Sequence, residues 1–329
     1  MRAPIAGPHF MGVAYAAAVL RYRADLRPLA FHVTYFASLG AAMMWAPLGG
    51  WAAPLFAALC ATAFLGAVQT HNAVHAPVFT RRAWNKAYQV VLTLIYGHPV
   101  SSYVPGHNLS HHKHTQTRRD VMRTTKARFR WNFLNGALFF FIVAPSIMRA
   151  DATYVSAARR RHRRWFHQLV LEFSMLVAVT GGLLYFDWRK TLIFWVLPHV
   201  YAQWGIVTMN LLQHDGCDGQ SRYNHSRNFV NRSFNWWVLN NGFHGIHHEH
   251  PGVHWSLLPE LHQREYGPHL HPALEQESIV AYLWHTFFLN HRETYAGAPF
   301  VLPEEGPDQW WIPPPEDTRG DLGAEGVDP

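Results

Sequence analysis

Four apolar runs constrain this chain more than any other feature. Residues 28–45 and 51–70 carry no formal charge, are each long enough to cross a bilayer as a helix, and are separated by APLGG. Residues 166–186 and 191–212 form a second pair around the loop DWRK. Glu172 lies inside the third run and adds an energetic cost there. The sequence therefore predicts two helical hairpins and an all-α membrane protein with four transmembrane helices.

The composition agrees with a chain divided between lipid and water. Hydrophobic residues make up 49% of the sequence, yet the mean hydropathy is only -0.11. The apolar run at residues 132–148 is short and interrupted by proline, so we expect an interfacial helix there. The chain has 2 cysteines, and neither has the spacing of a zinc site, which argues against zinc fingers and disulfides.

The distribution of charge predicts the orientation in the membrane. Residues 76–165 contain 16 of the 28 Lys and Arg residues, whereas the predicted outer loops contain only Arg189 and Lys190. With four spans, both termini and this basic segment share one side, which the positive-inside rule makes cytoplasmic. A nucleic-acid surface is another interpretation of the basic segment, but four spans favour topology, so we expect no nucleic-acid partner.

The spans divide the chain into three parts. Residues 1–27 are predicted to be a cytoplasmic N-terminal segment, and residues 28–300 the membrane domain. From residue 301 to residue 329 the sequence is rich in proline, glycine and acidic residues. We expect this tail to be extended or disordered.

Imidazole is concentrated in four short segments, although the chain has 24 histidines in all. HNAVH, HNLSHH and HGIHH place histidines four residues apart, where two rings project from one face of a helix. Adjacent histidines in HNLSHH point about 100° apart on a helix and can serve different ions. NLLQH places His214 at the exit of the fourth span, with Asn210 one turn before it. The candidate metal ligands are His71, His75, His107, His111, His112, His214, His244, His247 and His248.

Nine nitrogen donors exceed what one tetrahedral or octahedral ion accepts, so two ions are expected. Every segment follows a predicted span or lies in a cytoplasmic segment, which predicts a cytoplasmic helical cap holding a histidine-ligated dimetal site. Imidazole without thiolate suits iron, copper, nickel or zinc. The sequence lacks ExxH pairs and HExxH, which argues against a carboxylate-bridged di-iron bundle and a zinc peptidase.

Over roughly residues 28–260, the chain resembles the integral-membrane fatty acid desaturases and their hydroxylase relatives. HNAVH, HNLSHH and HGIHH are similar to the family's three histidine boxes, and NLLQH is similar to its additional NxxxH element. The resemblance implies two iron ions that activate O2, with Asn210 reaching a metal through water. It assigns no catalytic residue apart from the metal site.

The resemblance also implies a lipid or acyl substrate and a source of electrons. The chain shows no cytochrome b5-like module with an HPGG signature, so we expect a separate donor of the ferredoxin, rubredoxin or cytochrome b5 type. Three further histidines lie beside the boxes, and we expect them to support the site by hydrogen bonding or to lie on the surface. They are His114, His250 and His254.

Three functions are compatible with these patterns. Desaturation of an acyl lipid or acyl carrier is the leading hypothesis. Hydroxylation or ketolation of a fatty acid, sphingolipid, alkane or carotenoid uses the same ligands, because the boxes do not encode where the second C–H bond lies. A metal transporter is the remote alternative. A conduction path needs ligands near the middle of the membrane, whereas the histidine segments are predicted to lie at one edge of it.

Overall fold

A computed structural model describes residues 19–45, 49–50 and 52–309, and these residues are mostly helical. The helices are α1 (Leu26–Met44), α2 (Ala52–His75), α3 (Arg82–Tyr96), α4 (Val100–Val104), α5 (His112–His114), α6 (Asn132–Arg161), α7 (Arg163–Thr191), α8 (Leu197–His214), α9 (Arg232–Trp237), α10 (His244–Glu249), α11 (Leu258–Leu261) and α12 (Ile279–Leu283). π-Helical turns join α4 to α5 (Pro105–His111) and α7 to α8 (Leu192–Val196). Strands β1 (Asn228–Phe229) and β2 (Glu275–Gln276) pair in parallel.

Helix α2 forms the centre of the bundle and packs against α8, α1 and α3. Small residues allow the close approach of these helices. A Cβ on Gly66 would clash with Ile95 of α3, and a Cβ on Gly205 of α8 would lie 2.8 Å from the ring of Phe64. The C-terminal half of α2 is consequently buried.

Among the described residues, three helical segments are long and apolar enough to cross a membrane. They are Ala52–His75, Asn132–Arg161 and Arg163–His214. The last segment is broken at Asp187, whose backbone is not helical. Trp195 Nε1 donates a hydrogen bond to Thr180 Oγ1 at 2.9 Å, although the same number of residues in a straight helix would span about 22 Å. The chain therefore folds back at the predicted loop DWRK.

Helix α1 covers most of the predicted span 28–45, but it is not among these three segments. Polar side chains such as His32 and Thr34 lower its hydropathy below that of the others. His32 is nevertheless buried, and its Nδ1 lies 3.3 Å from the hydroxyl of Tyr88 on α3. The position of the first predicted span thus coincides with a helix, whereas its apolar character is weaker than predicted.

Helix α6 differs most from the prediction of a short interfacial helix over residues 132–148. It continues through Pro145 to Arg161 and is one of the three segments long enough to cross a membrane. The predicted length is wrong because the apolar run ends near residue 148, whereas the helix continues through the polar residues that follow. One of them, Asp151, is buried and accepts a hydrogen bond from Ser102 of α4 at 2.8 Å.

Helices α3 and α4 form a hairpin beside the bundle that the sequence analysis does not anticipate. The turn begins at Gly97, where φ is 74° and a Cβ would overlap the side chain of His199. Helix α8 continues from His199 to His214, so the turn lies about 22 Å from the histidine end of α8. Ser101 donates from its backbone nitrogen and hydroxyl to Glu172 at 2.8 and 3.0 Å. The Glu172 carboxylate, which was expected to carry an energetic cost within the third apolar run, therefore caps the start of α4.

The chain beyond α8 packs against the histidine end of the bundle. Phe229 of β1 is buried with Leu211 of α8 and Tyr282 of α12 in one apolar cluster. Arg292 donates to both carboxylate oxygens of Asp215 at 2.8 and 2.7 Å. These contacts hold α10, which carries the third histidine box, close to the ends of α2 and α8.

The first part of the C-terminal tail lies against the segment that follows α5. Residues 301–309 have no helix or strand, but Glu305 and Asp308 form ion pairs with the buried Arg123. Burial raises the pKa of both carboxyls, but hydrogen bonds from Arg123 and its neighbours outweigh it and hold both pKa values below their usual range. Residues 301–309 are therefore extended and held in place. Residues 310–329 and 1–18 lie outside the described residues.

Candidate metal centre

Four segments bring nine histidines together at one end of the bundle. They are the end of α2, the π-helical turn with α5, the end of α8, and α10. The five-histidine cluster consists of His71, His75, His107, His112 and His247. The four-histidine cluster consists of His111, His214, His244 and His248. Within each cluster, one ring nitrogen from every histidine lies within 4.8 Å of the others, so each cluster has the geometry to hold one ion.

The second histidine box is wound as a π-helix rather than an α-helix. The backbone N–H of His112 donates to the carbonyl of His107, which is an i to i+5 bond. His107 and His112 therefore point to the same cluster, and their Nε2 atoms are 3.1 Å apart. His107 and His111 are neighbours, as their spacing predicts, with ring centroids 5.6 Å apart, but they belong to different clusters. Adjacent His111 and His112 do enter different clusters, as the sequence predicts.

The third box divides its histidines between the clusters. His247 belongs to the five-histidine cluster, whereas His244 and His248, one turn apart on α10, belong to the four-histidine cluster. Nε2 of His244 lies 2.9 Å from Nε2 of His214 and 3.1 Å from Nε2 of His248. Helix α10 thus connects the two clusters.

The chemistry of the donors fits two metal ions. Burial lowers the pKa of five clustered imidazoles well below the usual value, and neighbouring imidazoles lower it further. These are His107, His112, His244, His247 and His248. Neutral imidazole is the form that binds metal. Several buried Nε2 atoms have no hydrogen-bond partner among the described residues, an arrangement that metal ions would satisfy. They belong to His75, His111 and His247.

Two of the clustered rings are oriented by hydrogen bonds behind them. The fully buried Asp120 carboxylate lies 2.9 Å from Nδ1 of His111, and the carbonyl of His225 lies 2.8 Å from Nδ1 of His214. Such partners fix the tautomer, so that Nε2 faces the metal. Burial raises the pKa of Asp120, but His111 and backbone hydrogen bonds outweigh it and keep that pKa below its usual range. Sequence reasoning missed Asp120, although it is one of two acidic residues in the basic segment.

The sequence model of the fatty acid desaturase family matches residues 44–276, which include all nine clustered histidines. The chain belongs to the fatty acid desaturase family. This confirms the resemblance inferred from the histidine boxes. No curated protein and no solved structure gives a significant match. Membership of the fatty acid desaturase family, together with the apolar helices, indicates a membrane-associated oxidoreductase that acts on fatty acids with the help of metal.

In this member of the fatty acid desaturase family, an apolar cavity of about 300 Å³ reaches the clusters. Its apolar walls come from α2, α6 and α8, and its metal end is lined by histidines of both clusters. The apolar lining residues include Phe64, Val68, Phe140, Ala144, Ile147, Met148, Ile206 and Val207. The histidines are His71, His107, His111 and His244. Tyr103 also lines the cavity, with its ring centroid 4.8 Å from that of His107, and sequence reasoning missed it.

Asn210 also lines the cavity, one turn before His214 on α8. Its Nδ2 donates to the carbonyl of Met122 at 2.7 Å, and its buried Oδ1 has no partner among the described residues. This oxygen is therefore available to a water or ion beside the four-histidine cluster. The predicted role through water stays a prediction.

The remaining histidines near the boxes lie outside both clusters. His254 hydrogen-bonds Asp25 at 3.2 Å, and Nε2 of His250 lies 3.4 Å from Glu265. His114 follows the second box but joins neither cluster. His225 lies beside the four-histidine cluster, with its ring centroid 5.3 Å from that of His248.

Proposed function

We propose that this protein is an integral membrane di-iron oxidoreductase that uses O2 and external electrons to desaturate the acyl chain of a lipid or acyl-carrier substrate. The observation that carries the proposal is the contact between both histidine clusters and one apolar cavity. Four of the nine clustered histidines also line that cavity. A hydrocarbon chain in the cavity would therefore lie directly beside the candidate metal ligands.

The donor set supports iron as the metal. The clusters offer only imidazole nitrogens, which suit iron, and the family uses metal-dependent catalysis on fatty acids. Two iron ions bound there would supply the activation of O2 and the removal of hydrogen from an unactivated C–H bond. Asp120 would hold the His111 ring in its binding tautomer, and burial would keep the imidazoles neutral.

The cavity supports an acyl substrate. Each methylene group buried against its apolar walls contributes about 0.8 kcal/mol, so a long chain can displace water from the cavity without any polar contact. The side chains of α6 and α8 then determine which carbon lies beside the histidines. The apolar walls also exclude water from the reacting carbon, which limits side reactions.

The proposed topology has the four spans predicted from the sequence, which correspond to α1, α2, α7 and α8. Both termini and the metal centre then lie on the cytoplasmic side. This topology is supported by the basic residues between positions 76 and 165 and by the fold-back at Asp187. In this orientation the acyl chain reaches the clusters from the lipid, whereas protons and electrons come from the cytoplasm. The donor is a separate protein of the ferredoxin, rubredoxin or cytochrome b5 type.

Product analysis tests this function. The full chain is expressed with a redox partner and supplied with deuterium-labelled acyl lipids, and the products are identified by mass spectrometry. We expect products that have lost two hydrogen atoms, no product with His107→Ala, and normal product with His269→Ala, which changes an exposed histidine outside the clusters.

The alternative outcomes each identify a different function. Products that have gained an oxygen atom would assign hydroxylation or ketolation in place of desaturation. Metal flux into vesicles, without any modified lipid from an iron-loaded protein supplied with electrons, would refute the enzymatic function in favour of transport.

A further inference from the structure

A basic groove of about 450 Å³ lies between α3 and α7 on the outside of the molecule. Arg82 and Lys86 lie one turn apart on α3, and Arg164 lies on the first turn of α7. Three basic side chains thus line one concave surface, together with His167, Gln168 and Leu171 of α7. The groove shares no lining residue with the cavity at the metal centre, so it is a separate feature of the described part of the chain.

One hydrogen bond joins the two walls of the groove. Nε2 of Gln168 donates to the carbonyl of Lys86 at 3.1 Å and to the carboxylate of Glu172 at 2.9 Å. The same carboxylate accepts two hydrogen bonds from Ser101, so it is engaged by α4. The backbones of α3 and α7 are therefore held at a fixed separation, so the basic side chains of both walls lie close together before an anion binds.

The groove lies where a basic sequence meets a lipid-facing surface. The basic residues 159–164 precede it on the chain, whereas Val170, Leu171 and Phe173 of α7 are 46%, 49% and 57% exposed. Trp84, near the start of α3, is 54% exposed. Basic residues and tryptophan are typical of the level of lipid headgroups. The apolar residues of α7 then face the acyl region.

We propose that this groove binds the phosphate of an anionic phospholipid headgroup. The arginine guanidiniums of Arg82 and Arg164 can each hold two phosphate oxygens, and Lys86 adds a point charge. Basic pockets between membrane helices on the cytoplasmic side bind acidic headgroups in this way. A lipid is favoured over a soluble phosphate compound because the groove continues onto the exposed Leu171 side chain, where an acyl chain can pack. The inference depends on membrane association and not on the reaction catalysed.

Lipid binding to the purified full chain in detergent tests the proposal. Native mass spectrometry counts bound lipid when equal concentrations of phosphatidylglycerol and phosphatidylcholine are supplied. The groove variant combines Arg82→Gln, Lys86→Gln and Arg164→Gln. The matched control combines Arg159→Gln, Arg160→Gln and Arg161→Gln, which removes the same charge from exposed residues at the end of α6.

We expect the wild-type protein and the control to prefer phosphatidylglycerol, with affinities within about twofold of each other. The groove variant should bind phosphatidylglycerol about tenfold or more weakly, since each lost charge-assisted hydrogen bond costs about a factor of ten. Arg164→Lys should retain the preference, and Arg164→Gln alone, at an exposed position on the first turn of α7, should weaken it without affecting folding.

Three results would overturn the proposal. An equal loss in the control would mean that diffuse charge attracts the lipid. Unchanged binding in a folded groove variant would mean that the groove is not the site. Displacement of the lipid by millimolar coenzyme A or inorganic phosphate would assign the groove to a soluble phosphate compound.

Discussion

Replacing Asp120 with asparagine tests how the protein orients its metal ligands. The Asp120 carboxylate is fully buried, faces Nδ1 of His111 at 2.9 Å, and accepts the backbone N–H groups of Gln116 and Met122 at 2.9 and 2.8 Å. Asp120→Asn keeps the volume of the side chain but removes the negative charge behind His111. The His111 ring then becomes a weaker ligand of the four-histidine cluster.

Two independent arguments give the same magnitude. Loss of a carboxylate behind a ligating histidine costs roughly 10- to 100-fold in metal affinity. A charge-assisted hydrogen bond contributes roughly 1.5–3 kcal/mol, which is also about 10- to 100-fold. We therefore expect the four-histidine cluster to lose affinity by this factor, whereas the five-histidine cluster, which Asp120 does not contact, changes less.

The assay is competition between the purified protein and a graded iron chelator, followed by the iron retained per chain. Asp120→Asn should release one ion at a lower chelator concentration than the wild type does. Asp151→Asn is the matched control, because Asp151 is also buried but accepts its hydrogen bond from Ser102. Wild-type retention in Asp120→Asn, or an equal loss in Asp151→Asn, would show that Asp120 does not strengthen His111 as a ligand.

Three further predictions concern the clusters, the cavity and the tail. His112→Ala and His248→Ala each remove one ligand, from the five-histidine and the four-histidine cluster respectively. Each should lower the iron measured by elemental analysis below two per chain. Two ions retained in either variant would contradict the assignment of these histidines as ligands. Ala144→Phe fills the cavity and should lower the turnover of acyl lipid about tenfold or more with unchanged iron content, whereas unchanged turnover would exclude the cavity as the substrate site. Because the pKa values of Glu305 and Asp308 are lowered by folding, their stabilisation is complete at neutral pH and disappears as the pH falls through those values. The protection of residues 303–309 from hydrogen exchange, relative to the intrinsic rate at each pH, should therefore fall below about pH 4, and unchanged protection at lower pH would show that the ion pairs do not hold the tail.

The histidine boxes could be predicted from the sequence because they depend on spacing within short helical segments. His71 and His75, four residues apart on α2, enter the same cluster, as the helical period requires. The pairing of His107 with His112 could not be predicted in this way. It depends on a π-helical turn, which tertiary packing imposes on a segment with no distinctive sequence signal.

The residues that support the clusters were harder to predict because they depend on long-range contacts. Asp120 lies outside the boxes, within a segment whose charge suggested only membrane topology. Glu172 looked like an isolated charge in an apolar run, and only the α3–α4 hairpin shows that it accepts hydrogen bonds from Ser101. The full length of α6 was also not predicted, because its polar residue Asp151 depends on a hydrogen bond from the distant Ser102.

Anomalous X-ray scattering at the iron edge, from crystals of the protein purified with iron, would locate the metal ions themselves. We expect two peaks per chain, one within the five-histidine cluster and one within the four-histidine cluster, both beside the apolar cavity. A single peak, or peaks away from these histidines, would contradict this expectation.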